Sequence, residues 1–291
     1  MRVTTLYASK QPVISMEFFP PRDVKGVQAF TTTIDELAVP VPDYMTVTFG
    51  AGGSTRDGSY QTVQMLVKEK RQPTVAYLAG YGLGPEEIAA VLDDYRALGI
   101  ETIFVVRGDK PQDAEFKPHP KSFDHASQLI AFIKERYDFT LGCAGYPEGH
   151  IEAQSLDKDI DFLKRKVDNG AEYIVSQYFY DNAYFLNYVE KCRAAGIGVP
   201  IIPGIMPVYT LKMTRMLAKV CGTTIAADLQ GKLDAVDAAD KEAVLKLGVE
   251  VAVGQCKELL NAGVAGLHFY TMNRSGSTLE ILKTLKAEKR L

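Results

Sequence analysis

Eight short apolar runs recur along the chain, and each closes on polar or glycine residues. They are 13–19 (VISMEFF), 44–50 (YMTVTFG), 74–80 (TVAYLAG), 101–109 (ETIFVVRGD), 140–150 (TLGCAGYPEGH), 172–179 (EYIVSQYF), 199–204 (VPIIPG) and 266–274 (GLHFYTMNR). Runs this continuous suit strands buried on both faces, as in a parallel sheet covered by helices. Between them the apolar residues return at helical spacing. Segment 85–98 opens with Pro85 and the acids Glu86 and Glu87, and Gly99 stops it. Its Ile88, Val91, Leu92, Tyr95 and Leu98 fall on one face and would lie on the sheet. Segment 157–169 repeats the scheme, with Ser155 near its start, Gly170 at its end and Ile160, Leu163 and Val167 as the inner stripe. Segments 183–195 and 210–221 are two more helices, ended by Gly196 and Gly222.

Three joints share one local pattern: ALGIETIFVV, DNGAEYIVSQ and NAGVAGLHFY, with AAGIGVPIIPG close to them. Each reads as a helix end, a glycine able to take a left-handed cap, then a buried strand. Eight strands alternating with helices predict a (β/α)8 TIM barrel, in which the active site is built where the strands end. Two segments break the rhythm. Residues 110–123 carry three prolines and many charges, which predicts a loop over that face. Residues 223–240 predict extra helical or irregular structure before a long helix of about 241–261. No low-complexity linker divides the chain, so one domain, 1–291, is expected.

Composition narrows the class. A hydrophobic content of 46% supplies a large core, and a net charge of −3 points to neither nucleic acid nor an acidic membrane. Cys143, Cys192, Cys221 and Cys256 lie far apart without a CxxC. That argues against a metal site or disulfide framework and for inert thiols in a reducing compartment. The N-terminus lacks the long apolar core of a signal peptide, and no run nears the ~20 residues of a membrane span. A soluble cytoplasmic protein is expected.

The polar strand ends hold the candidate chemistry. Glu17 is a lone acid among Met16, Phe18 and Phe19, ahead of Pro20 and Pro21. A carboxylate there is costly unless paired or used, and such surroundings suit a general acid. The alternative is a salt bridge to an Arg or Lys. Arg107, Gly108 and Asp109 end the fourth run: Arg107 offers a fork of donors for phosphate or carboxylate, and Gly108 lets backbone approach a ligand. An Arg107–Asp109 pair holding the rim is the alternative. Thr48, Tyr146, His150, Gln177 and Arg274 also stand at run ends. Asp159, Phe162 and Lys166 share one helix face toward the rim, where a phosphate or ribose contact competes with a solvated face. Gln177 can hold a heterocycle through paired donor and acceptor. The glycine-rich GAGGS at 50–54 is neither GxGxxG nor a P-loop.

Taken together, SMEFFPPR, VTFGAGGSTRDG, VVRGD, AGYPEGH, LKRKVDNGAEYIVSQYFYD, IIPGIMPV and HFYTMNR resemble the methylenetetrahydrofolate reductase family, in order from residue 15 to 274. The resemblance implies a barrel with FAD on its C-terminal face and reduction of 5,10-methylenetetrahydrofolate to 5-methyltetrahydrofolate. Reduced nicotinamide, NADH or NADPH, and folate would take turns at the flavin. It implies that Glu17 is the acid opening the methylene bridge and that Asp109 tunes flavin and pterin. Gln177, Tyr270 and Arg274 would contact folate. Thr48, Arg107, Gly108, Asp109, His125, Ala126, Tyr146, His150, Asp159 and Lys166 would hold FAD. No metal is implied. A homo-oligomer and a redox partner subunit are both left open. The chain departs from the family at Tyr77-Leu78-Ala79-Gly80, where a His-Leu-Thr-Cys type sequence is usual, and at Phe162, where Asn is common. Both changes remove polar contacts to FAD and raise the expectation of a flavin-poor variant. Without the long C-terminal regulatory region of eukaryotic members, the chain reads as a bacterial or archaeal catalytic unit. A pterin-binding barrel that transfers a methyl group and a non-catalytic subunit of a redox complex are the competing readings. The RGD and YPEGH blocks oppose the first; retention of Glu17, Asp109 and Gln177 opposes the second.

Overall fold

The computed structural model describes residues 1–49, 56–110 and 115–291. The glycine-rich 50–54 and residues 111–114 of the proline-rich loop lie outside them. Among the described residues, β1 (Val13–Phe18), β2 (Tyr44–Val47), β3 (Thr74–Ala79), β4 (Thr102–Val106), β5 (Thr140–Gly145), β6 (Tyr173–Tyr178), β7 (Ile201–Ile205) and β8 (Gly266–Tyr270) form a closed barrel in chain order. Every strand pair is parallel, and β8 closes onto β1 with Ser15 opposite His268 and Glu17 opposite Tyr270. The predicted (β/α)8 barrel is the observed one.

Helices wrap the barrel: α2 (Val24–Ala38), α3 (Arg56–Lys68), α4 (Pro85–Ala97), α5 (Ala126–Arg136), α6 (Leu156–Asp168), α7 (Asn182–Ala194), α8 (Leu211–Cys221), α10 (Lys241–Asn261) and α11 (Gly276–Ala287). The predicted 223–240 irregularity contains α9 (Ala227–Asp234). Ser155 caps α6 by accepting the Lys158 N–H. The inner stripe of α4 is buried as its spacing requires, at Ile88, Val91, Leu92 and Tyr95. One element carried no advance signal. α1 (Val3–Ser9) seals the bottom of the barrel, with the Tyr7 hydroxyl 2.7 Å from that of Tyr44. A seven-residue helix is too short to declare itself by periodicity; burial of Val3 and Tyr7 against the barrel supports it.

Strand alternation sorts the side chains. On β1, Met16 and Phe18 pack outward with Phe30 and Ile34 in the layer between barrel and helices. Ser15 and Glu17 therefore point inward. Below them Tyr44, Val75, Phe104, Tyr173 and Ile202 fill the barrel floor. No helix among the described residues is long and apolar enough to cross a membrane.

All four helix–glycine–strand joints carry left-handed glycines, at Gly99, Gly170, Gly196 and Gly263. At Gly99 φ is +82°, and a Cβ there would meet nothing within 4 Å. Only backbone conformation then opposes a side chain. Gly99→Ala is expected to cost about 1–2 kcal/mol, read by denaturant unfolding. An unchanged midpoint would show that the joint tolerates a right-handed cap.

Candidate functional site

The C-terminal mouth of the barrel gathers the polar strand ends. Glu17 sits there, 6% exposed, and accepts a hydrogen bond from the Tyr77 hydroxyl on Oε2. His268 Nε2 lies 3.4 Å from the same oxygen, and His268 Nδ1 is 2.8 Å from Ser15 Oγ. The Arg or Lys partner held open for Glu17 is not there among the described residues. A neutral phenol and an imidazole take its place. Burial, reinforced by the Glu17 charge, pushes the Tyr77 phenol well above its ordinary value, so it stays a donor. Tyr270 is raised by the same two causes, and its hydroxyl donates to the Ser176 carbonyl at 2.8 Å.

Above this floor a cavity of about 280 Å³ is walled by Glu17, Tyr77, Tyr146, Gln177, Tyr178 and Tyr270 together with apolar side chains. Gln177 Oε1 accepts the Tyr178 N–H at 3.1 Å. Its amide nitrogen has no partner among the described residues and is free to meet a ligand acceptor. A wider trough of about 1210 Å³ adjoins the cavity, with Thr48, Arg107, Gly108, Asp109, Tyr146, His150 and Gln177 on its walls. It shares Val106, Arg107, Tyr146 and His150 with a recess of about 300 Å³ that also holds His125, Ala126, Asp159, Phe162 and Lys166. The structure thus brings together every candidate except Arg274. That residue is exposed on the β8–α11 loop, its guanidinium 5.9 Å from the centre of the Tyr209 ring.

Pairings at the rim differ from the sequence alternatives. Arg107 bonds Glu152 at 2.6 Å rather than Asp109, and this raises the guanidinium and lowers the carboxyl. With Glu152 56% exposed, a pair of this kind is worth only about 0–1 kcal/mol, so Arg107 remains available to an anion. Lys166 donates to the Ala144 carbonyl at 2.6 Å. His150 meets the Tyr146 ring edge-on, 4.6 Å between centroids. Phe162 is exposed and carries the Arg165 guanidinium over its ring at 5.3 Å, with the His125 ring near-parallel at 6.5 Å. The α6 face predicted from Asp159, Phe162 and Lys166 thus lines the recess.

Asp159 sits at a stability cost. Burial pushes its carboxyl above the ordinary value, with Lys166 and His150 opposing. A raised folded-state value means that the stabilising contribution is present in acid and lost as pH rises through that value. Asp159→Asn should therefore raise the melting temperature at neutral pH, with a gain that shrinks toward acid. A variant that melts lower at neutral pH would contradict this.

Ser15, Tyr77 and His268 complete the mouth; Ser15 and His268 were not selected by sequence, and Tyr77 was noted only as a departure from the family. The available signal was strand alternation, which turns all three toward Glu17.

Comparison with known proteins decides the family. A family model described as methylenetetrahydrofolate reductase matches residues 2–286. The chain belongs to the methylenetetrahydrofolate reductase family. Methylenetetrahydrofolate reductase 1 of Schizosaccharomyces pombe is 36% identical over 93% of this chain and 45% of its own length. Methylenetetrahydrofolate reductase (NADH) 1 of Arabidopsis thaliana is 35% identical over 98% of this chain and 50% of its own. The chain thus spans about half the length of these family members. The 5,10-methylenetetrahydrofolate reductase of Escherichia coli is 35% identical, covering 94% of this chain and 90% of that one. Among solved structures, an uncharacterized Clostridium thermocellum protein that binds two copies of 5-methyl-5,6,7,8-tetrahydrofolic acid superposes with TM-score 0.65 at 14% identity, covering 98% of both chains. Dihydropteroate synthase from Xanthomonas albilineans gives 0.51 at 14%, covering 97% of this chain and 94% of that one. At such identity these two likenesses concern the barrel fold.

Proposed function

We propose that the chain reduces 5,10-methylenetetrahydrofolate to 5-methyltetrahydrofolate with FAD, using electrons from reduced nicotinamide or a partner-supplied donor. The observation that carries this reading is the buried Glu17 carboxyl on the wall of a largely apolar cavity that Gln177 and Tyr270 also line. Family membership supplies the substrate class. Relatives carry either NADH or NADPH in their names, which leaves the nicotinamide unassigned.

The described residues fit a flavin dinucleotide. Trough and recess together exceed the roughly 300–1,000 Å³ of a drug-sized pocket, and the recess carries Arg107, Arg165 and Lys166 for a pyrophosphate. Gly108, at φ +88°, lets backbone approach a ring. When bound, the flavin supplies the hydride. The chain's residues do the rest. Gln177 orients the pterin with its amide. Glu17, as general acid, gives a proton to a bridging nitrogen as that carbon–nitrogen bond breaks, leaving an iminium on the other nitrogen. The apolar walls exclude water from that cation. Asp109, exposed on the rim, sets the charge beside the ring system.

The test is a spectrum and an assay on one preparation. Flavin absorbance with folate-dependent oxidation of reduced nicotinamide is the expected outcome. Nicotinamide oxidation that ignores added folate would overturn the reaction. Folate turnover without flavin would overturn the cofactor alone. Phe162, where a polar contact is usual in the family, favours loose flavin binding. Less than one flavin per chain, with a melting temperature that climbs on added FAD, is the expected sign.

A further inference from the structure

Glu17 is buried with no Lys or Arg partner among the described residues, so another group must hold its carboxylate where a substrate can use it. The buried Tyr77 ring packs on Phe104 with centroids 4.5 Å apart, and its hydroxyl bonds Glu17 Oε2. His268 approaches the same oxygen at 3.4 Å, yet its Nε2 makes no hydrogen bond among the described residues. Tyr77 is therefore the group that fixes the carboxylate. Neither contact occupies Oε1.

We propose that Tyr77 is a positioning residue, whose phenol pins Oε2 of Glu17 and thereby presents Oε1 to the folate bridge. The role rests on the reaction proposed above. Three features support it. The ring is buried and packs on Phe104, which restricts its rotamer and so the place of its hydroxyl. The phenol keeps its proton, so it remains able to donate to the carboxyl. A single neutral donor also orients the carboxyl without the full counter-charge that a Lys or Arg would bring.

Tyr77→Phe keeps the ring packing and removes only the hydroxyl. Folate kcat is expected to fall roughly 10–100-fold, the range for losing a hydrogen bond to a charged group, with KM for folate little changed. The melting curve should stay close to wild type. In a Glu17→Gln background the same change should cost almost nothing further, because Tyr77 acts through Glu17. A loss that adds in full to that of Glu17→Gln would overturn the proposal and mark Tyr77 as a packing support. Unchanged kcat in Tyr77→Phe, beside an active wild type, would overturn Tyr77's role and leave the reaction standing. A wild type with no folate turnover would overturn both.

Discussion

Under the proposed reaction, Glu17→Gln is expected to lower folate reduction by roughly 10²–10⁴-fold, the usual share of a general acid. Gln keeps the shape and an oxygen able to accept from Tyr77, but it cannot give a proton. Replacing the buried carboxyl by an amide is expected to leave the variant about as stable as wild type, since no Lys or Arg among the described residues is left unpaired by the change. Transfer of electrons from nicotinamide to an artificial acceptor should survive, because that half of the reaction needs no proton at the folate bridge. Steady-state assays of the two activities on one preparation separate them. Near-normal folate turnover would remove Glu17 from the proton path.

On the proposed FAD site, Lys166→Ala and Arg107→Ala are expected to weaken flavin retention more than they weaken folding. Each charge-assisted contact to a pyrophosphate is worth about 1.5–3 kcal/mol, or roughly a 10–150-fold change in affinity. Loss of the exposed Arg107–Glu152 pair costs little stability by comparison. Bound-flavin absorbance per chain after gel filtration, set beside a melting curve, measures both. A variant that unfolds easily yet still carries its flavin would make these side chains rim supports. Lys166 is the more informative of the two, because its bond to the Ala144 carbonyl ties α6 to β5. Some loss of stability accompanies it, and only the ratio of the two effects identifies a ligand contact.

Much of this molecule is local in origin. Apolar runs bounded by glycine, and helices that end on left-handed glycines, specify strand and helix one after another. Repeating that unit eight times points to the barrel, and the structure closes β1 to β8 in chain order. Glu17 stood out by itself, since an acid inside a buried strand must be used or paired. The recess face of α6 followed from the spacing of Asp159, Phe162 and Lys166.

What pairs with these residues was decided only by closure. Tyr77 meets Glu17 across 60 residues, Ser15 meets His268 across 253, and Arg107 meets Glu152 across 45. Alternation says which side chains point inward. It does not say which of them share a level, because that depends on the stagger of the closed sheet. The stagger sets Ser15 opposite His268 and Glu17 opposite Tyr270, which lets the His268 imidazole approach the same carboxyl oxygen that the Tyr77 phenol, on β3, already bonds. α1 belongs with these tertiary decisions: its seven residues become a helix where the open bottom of the barrel offers Val3 and Tyr7 a place to be buried.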